Sequence, residues 1–282
     1  MSKAVQQRHH KYHAEAHVLN GTFHLPLSRE IPEQAYVSLP AHGGYLAQNS
    51  GEFSVENVLS FRSAYTQVGG NRDVKKGHGW STLVTSVIEG LNILEVVTAD
   101  RIVAQIGTEF PLEGYVPSVT FLATRYENLR ICGNPVSVEL DLDLIGPKPE
   151  NDVHYNADPG FIARVCAHHE RMRRCSGVPQ EIAARYNRLP TAEENRESIE
   201  CSLVKNISGE IPGCFYGNVI DVPNFGKVEL ANVSLKQSMA DPKAGLPPST
   251  TIELTMLQLN MGCVIAGKSA VGSGKTNGQS YP

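Results

Sequence analysis

Apolar and polar positions in this chain alternate mostly with a period of two. Near the N-terminus Ala14, Ala16 and Val18 alternate with His13, Glu15 and His17, the pattern of a strand with one buried face. "GEFSVENVLSFRSAYTQV" predicts another strand or pair of strands, and "GGNRDVKKGHG" a long turn. From Trp80 onward β-branched residues crowd the sequence, and Gly90 with Asn92 marks a turn between two strands. "RICGNPVSVEL" carries a hairpin signal at Gly133 and Asn134. After it Val136, Val138, Leu140, Leu142 and Leu144 alternate with Ser137, Glu139, Asp141 and Asp143. This clean alternation predicts a strand central to the core. "FYGNVIDVPNFGKVELANVSLKQS" and "TTIELTMLQLNMGCVIAG" predict the last strands, on either side of the Pro-rich "DPKAGLPPS".

One stretch breaks this rhythm. "ADPGFIARVCAHHERMRRCSG" opens with Asp158 as N-cap and Pro159 at the first helical position, and runs to Arg173, Arg174 and a stop at Gly177. "VPQEIAARYNRLP" predicts a second short helix, and Thr191 with Glu194 forms a capping box for a third. The predicted fold is α+β, mainly antiparallel β, with a β-sandwich or barrel-like core and a small helical insertion. Residues 1–156 and 201–270 are read as one β-rich domain, 157–200 as the insertion, and 271–282 as a polar tail.

The tail contains "GSGKT", the end of a phosphate-binding loop. That loop requires G-x-x-x-x-G-K-[ST] between a strand and a helix. Ser269 stands where the first glycine belongs, and only six residues follow Thr276, including Gly278 and Pro282. A helix that could aim its N–H groups at a phosphate has no room there.

Composition narrows the class. Charged residues are 19% of 282, with 25 Gly and 17 Pro, which favours strands and turns. The net charge is −4 with no basic cluster, which argues against a nucleic-acid surface. No apolar run reaches the ~18–20 residues of a spanning helix. "MSKAVQQRHHKYH" has no apolar h-region, so as written the chain reads as cytoplasmic. The six cysteines include no C-x-x-C pair and are expected to be mostly free, buried thiols.

The N-terminal "RHHKYHAEAH" is the first candidate for chemistry. Imidazole with carboxylate suits a divalent transition metal, and alternation places His13, Glu15 and His17 on one strand face. His13 and His17 would stand ~13 Å apart along a straight strand. One ion would therefore take Glu15, one histidine and a ligand from elsewhere, such as His42 or His78. No organic cofactor is indicated. Cys166 and His169, at i and i+3 on the helix, could form a nucleophile–base pair, though apolar neighbours favour plain packing. Glu139, Asp141 and Asp143 resemble a calcium-binding face, but a straight strand spaces them ~6–7 Å apart. Asn20, Asn206 and Asn232 head glycosylation sequons.

The order of "LEVVTADRIVAQI", "PSVTFLATRYENLRICGNPV", "VPNFGKVELANVSLK" and "LTMLQLNMGCVIAGKSAVGSG" resembles the bacterial proteins labelled choice-of-anchor P. The likeness spans about Leu91–Pro135 and Ile220–Gly274. It implies a β-rich extracellular module and carries over no catalytic residue. This chain departs from it in its N-terminal sequence and its helical insertion. The first functional expectation is a non-catalytic binding or structural module, self-assembling into a homo-oligomer, whose small-molecule or protein ligand the sequence does not name. The alternative is a metal-dependent enzyme using His13, Glu15 and His17.

Overall fold

Two large antiparallel sheets face one another across a shared core in the computed structural model, which describes residues 8–24, 28–72, 78–187, 198–262 and 266–281. The ten-stranded sheet sets Gly44–Ser50, Ser63–Arg72, His78–Ile93 and Val97–Pro111 side by side. Short strands ending in the hairpin Arg130–Ile131/Asn134–Pro135 finish one flank. The nine-stranded sheet runs from Arg29–Gln34 through Ala14–Phe23, Ala266–Thr276, Ser249–Gly262 and Gly226–Ser238. It ends in Val219–Val222 and Cys214–Tyr216, with Ser198–Ser202 also paired to Gly226–Ser238. This is the predicted mainly antiparallel α+β sandwich with a helical insertion.

Alternation explains what faces the core. Ala14, Ala16 and Val18 are fully buried while Glu15 and His17 are only partly covered. The sheets approach closely at small residues. A Cβ on Gly274 would lie 2.9 Å from the Val84 Cγ1 of the opposite sheet, closer than side chains tolerate. Two buried hydroxyls inside the sandwich are paired with backbone: Ser86 donates to the His17 carbonyl at 2.9 Å and Thr66 to the Ala35 carbonyl at 2.6 Å.

At one level the nine-stranded sheet departs from alternation. Four neighbouring strands each turn two consecutive residues inward: Val18–Leu19, Val271–Gly272, Met256–Leu257 and Leu230–Ala231. The ladders skip one pair there, passing from His17↔Ser273 to Leu19↔Val271 and from Thr255↔Ser273 to Leu257↔Val271. Because all four strands step together, the register on either side is kept. The outer face then has a gap, with outward residues three apart rather than two.

Several expectations change. The 271–282 segment is not a free tail. Ala266–Thr276 is a central strand paired on both sides, and Gln279–Tyr281 pairs with His9–Lys11. Val136–Leu144 is not a central strand. Only Ser137–Leu140 is extended, paired with Val204–Ser208 in a separate two-stranded sheet, and Leu142 is exposed. Val136 and Leu144 are buried from the flanking loops. The turn expected at Gly90 and Asn92 lies two to four residues later, at Leu94 and Glu95, both with positive φ. Gly90 instead kinks a continuous strand. The hairpin after Arg130 turns on Cys132 and Gly133, one residue earlier than read.

The helical reading holds for two helices. Asp158 caps Pro159–Arg174, its side chain accepting from the Phe161 N–H at 2.7 Å. Gln180–Asn187 follows. The capping box at Thr191 lies outside the described residues, and the chain re-enters the sheet at Ser198. Among the described residues no helix is long and apolar enough to cross a membrane. Of the cysteines described, all are free. Only Cys201 is fully buried, and burial pushes its thiol up to about 12, whereas Cys132 and Cys214 are exposed. Cys263 lies outside the described residues.

Candidate functional site

The N-terminal histidines divide between two environments. His10 turns inward, stacked on Trp80 at 5.1 Å between centroids and edge-on to Tyr12 at 4.7 Å, with Nδ1 3.0 Å from Ser280 Oγ. Burial holds its pKa down at about 4, so it is a packed neutral imidazole. His9 and His42 join His10 in lining a pocket of about 310 Å³ with Arg72 and Trp80.

His13, Glu15 and His17 stand on the outer face of the nine-stranded sheet, as the alternation predicted. His13 Nε2 meets Glu15 Oε1 at 3.0 Å, and its Nδ1 meets the Asn277 amide oxygen. His17 turns away, its Nδ1 3.6 Å from Glu33 Oε1. Burial lowers the His17 pKa, opposed by Glu33, Glu253 and Glu15. Both nitrogens of His13 therefore have protein partners, and the third member of the triad has a different one. Among the described residues no three His, Cys, Asp or Glu side chains gather as a metal site. His42 lies in the other pocket, and the His78 side chain lies outside the described residues. Cys166 and His169 show no nucleophile–base contact: His169 Nε2–H donates to the Glu200 carbonyl at 2.8 Å. Glu139 forms an ion pair with Lys205 at 2.6 Å, and the Asp141 carboxylate accepts from the Asp143 N–H at 3.2 Å.

The rest of this outer face is a carpet of polar side chains. Across the strands one row reads Glu15, Lys275, Glu253, Ser234, Glu200. The next reads His17, Ser273, Thr255, Asn232. The two helices roof its far end. Met172 packs against Gly217, where a Cβ would fall 1.5 Å from the Met172 sulfur, so only glycine admits the helix there. Tyr186 OH donates to Asn218 Oδ1 at 2.9 Å. Asn218 passes its amide hydrogens to the Leu230 carbonyl and to Asn232 Oδ1, and Asn232 donates in turn to Glu229 and Gln258. This chain of bonds ties helix to sheet and fixes the amides in one orientation.

Two depressions open on this face and share Gln258, beside the gap left by the step in alternation. One, of about 570 Å³, lies among Asn20, Thr22, Glu30 and Glu33. The other, of about 370 Å³, lies beneath the short helix, walled by Tyr186 and floored by Glu200, Ser234, Glu253 and Thr255. Sequence reading missed this site because residues 186, 200, 234 and 253 come from four separate elements. The signal it left is a doublet of apolar residues in mid-strand, such as "ML" at 256–257, which marks where the outer face opens.

The outer face of the ten-stranded sheet is different. Its middle levels carry Tyr45, Leu83, Ala47, Gln67, Thr85, Gln105, Tyr65, Val87 and Val103, with Gly69 and Gly107 between; charge enters at the margins, with Arg125 beside Val103 and the Arg101–Glu89 pair one level on. Tyr45, Leu83 and Leu122 are 64%, 41% and 49% exposed. A Cβ on Gly69 would lie 3.7 Å from the Tyr45 ring, and one on Gly107 3.7 Å from Leu122 Cδ1. The glycines thus form a bare lane in which these apolar groups lie.

The fold and its two contrasting faces define a two-sheet β protein with a helical roof over one face. The chain belongs to the family described as a domain of unknown function, DUF8256, which matches residues 10–236. The match ends inside Gly226–Ser238, before the central strands Ser249–Gly262 and Ala266–Thr276. No curated protein matches the chain.

Proposed function

We propose that this protein is a non-catalytic binding and structural module that self-assembles as a homo-oligomer through the free edge of its ten-stranded sheet. The observation that carries the reading is the edge strand Gly44–Ser50. Among the described residues it pairs on one side only, and its first six residues are exposed. Its sequence, "GYLAQNS", holds no charge and no proline. Natural edge strands are normally blunted by charge, proline or shortness, because an open edge recruits another strand.

The other edges follow that rule. Arg29–Gln34 carries Arg29, Glu30, Pro32 and Glu33; Asn134–Pro135 is two residues long and ends in proline; Cys214–Tyr216 is three residues long. Among the described edge strands Gly44–Ser50 combines length, neutrality and exposed apolar side chains, Tyr45 on one side and Leu46, 41% exposed, on the other. A second copy pairing antiparallel about Ala47 would meet no like charge and would bring two Tyr45–Leu83–Leu122 stripes into one surface. Likeness to choice-of-anchor P proteins adds an extracellular setting to the proposal.

Light scattering over a concentration series tests it. The expected result is a dimer or higher oligomer that Tyr45→Lys and Leu46→Lys together convert to monomer with an unchanged far-ultraviolet spectrum. A monomer at every concentration, or an oligomer indifferent to both changes, overturns it.

A further inference from the structure

We infer that the pocket beneath the short helix binds a neutral, hydroxyl-rich ligand, a saccharide or polyol. The inference stands on the nine-stranded sheet and is independent of the self-association proposed for the other.

Its size, about 370 Å³, is that of a small-ligand site. Its lining is unusually polar for one. Ser234 Oγ is buried at the floor with no hydrogen-bond partner. A buried hydroxyl left unpaired is costly, so its place in an open pocket marks it as a group awaiting a partner. Ser234 stands between Glu253 and Glu200 on the neighbouring strands, so an orphan hydroxyl is flanked by two carboxylates. Carboxylates only accept, and Lys236, which also lines the pocket, only donates. Gln258 adds an amide whose oxygen is already engaged by Asn232.

The balance of charge selects the ligand. Glu200 and Glu253 set carboxylates and Lys236 an ammonium in one lining, so neither a purely cationic nor a purely anionic ligand satisfies it. Acceptors and donors interleave at strand spacing, ~5 Å apart. A hydroxyl both donates and accepts, so a row of hydroxyls satisfies such a lining where an amine or an anion would leave half of it unmet. Tyr186, 3% exposed, closes the pocket on the helix side, and its hydroxyl donates to Asn218. The network through Asn218 and Asn232 fixes wall and floor before any ligand arrives, which lowers the ordering cost of binding.

The test uses the whole chain, titrated calorimetrically with cellobiose, maltose, N-acetylglucosamine and glucose, and with spermidine as a cationic comparator. Saturable binding of at least one neutral sugar is expected. Ser234→Ala and Glu253→Gln should each weaken it roughly tenfold, while Leu142→Ala, at an exposed position outside the pocket, leaves it unchanged. Melting of Ser234→Ala at the wild-type temperature shows that the fold is retained. Failure of all four sugars to bind, binding indifferent to both pocket variants, or binding of spermidine alone overturns the inference.

Discussion

The two outer faces are built from the same strand periodicity and end with opposite chemistry. On the nine-stranded sheet the outward set is Glu15, Lys275, Glu253, His17, Thr255 and Asn232; on the ten-stranded sheet it is Tyr45, Leu83, Ala47, Thr85, Val87 and Gln105. The inward sets are alike, aliphatic and close-packed. Alternation therefore decides which residues are available to the outside, and the choice of outward residues decides what each face does. One face is committed to hydrogen bonding beneath a helical roof. The other is neutral along its Tyr45–Leu83 and Ala47–Gln105 levels and carries its charges, Glu89, Arg101, Glu109 and Arg125, around them.

The comparison is broken most severely from inside. Leu254 and Ile102 are fully buried on opposite sheets, and Leu254→Ala or Ile102→Ala is expected to cost ~2–5 kcal/mol in chemical denaturation, because the close-packed core cannot collapse around the cavity. Similar losses would show the two sheets to be one cooperative unit. A large loss at only one position would separate them.

Acid should distinguish the two ends of the molecule. Burial holds His10 at about 4 and His168 at about 3, below the ordinary value of 6.5. Above that value both are neutral whether the chain is folded or unfolded. Below it the unfolded chain takes up protons that the folded chain refuses, so stability falls from about pH 6.5 down to about 4 for His10 and about 3 for His168. His168→Phe should flatten the decline more than His10→Phe. Equal slopes in all three proteins would rule out these imidazoles as the cause.

Charge on the faces should matter less for stability and more for assembly. Leu83→Lys is expected to shift stability by no more than ~0.5 kcal/mol while weakening self-association seen by light scattering. Lys275→Gln on the other face should leave the assembled mass unchanged. The smallest effect is expected at Leu142. Exposed after the end of Ser137–Leu140, it should lose less than ~0.5 kcal/mol on change to alanine in the same denaturation assay.

Much of the fold was legible because one buried face leaves a period of two. Ala14, Ala16 and Val18 against His13, Glu15 and His17 were placed correctly from spacing alone, as was the cap at Asp158. The failures share a cause. "AVGSGKT" resembles a tail because its residues are small and polar, yet small residues are what a central strand needs where the sheets touch, as Gly274 does against Val84. "VSVELDLDL" resembles a core strand, but alternation cannot count the partners a strand will find. Its pairing with Val204–Ser208 is set by tertiary contacts alone. The candidate site was illegible for a further reason: Glu200, Ser234 and Glu253 meet by register across three strands, and no local window contains them.

The pairing of His9–Lys11 with Gln279–Tyr281 also has a mechanical meaning. Two antiparallel strands held at adjacent ends are loaded like a zip when pulled apart through His9 and Tyr281. The bonds of His9↔Tyr281, His10↔Ser280 and Lys11↔Gln279 then part in succession, and the load passes to the long Ala14–Phe23/Ala266–Thr276 ladder in the same peeling direction. A molecule tethered through these strands would open gradually at low force.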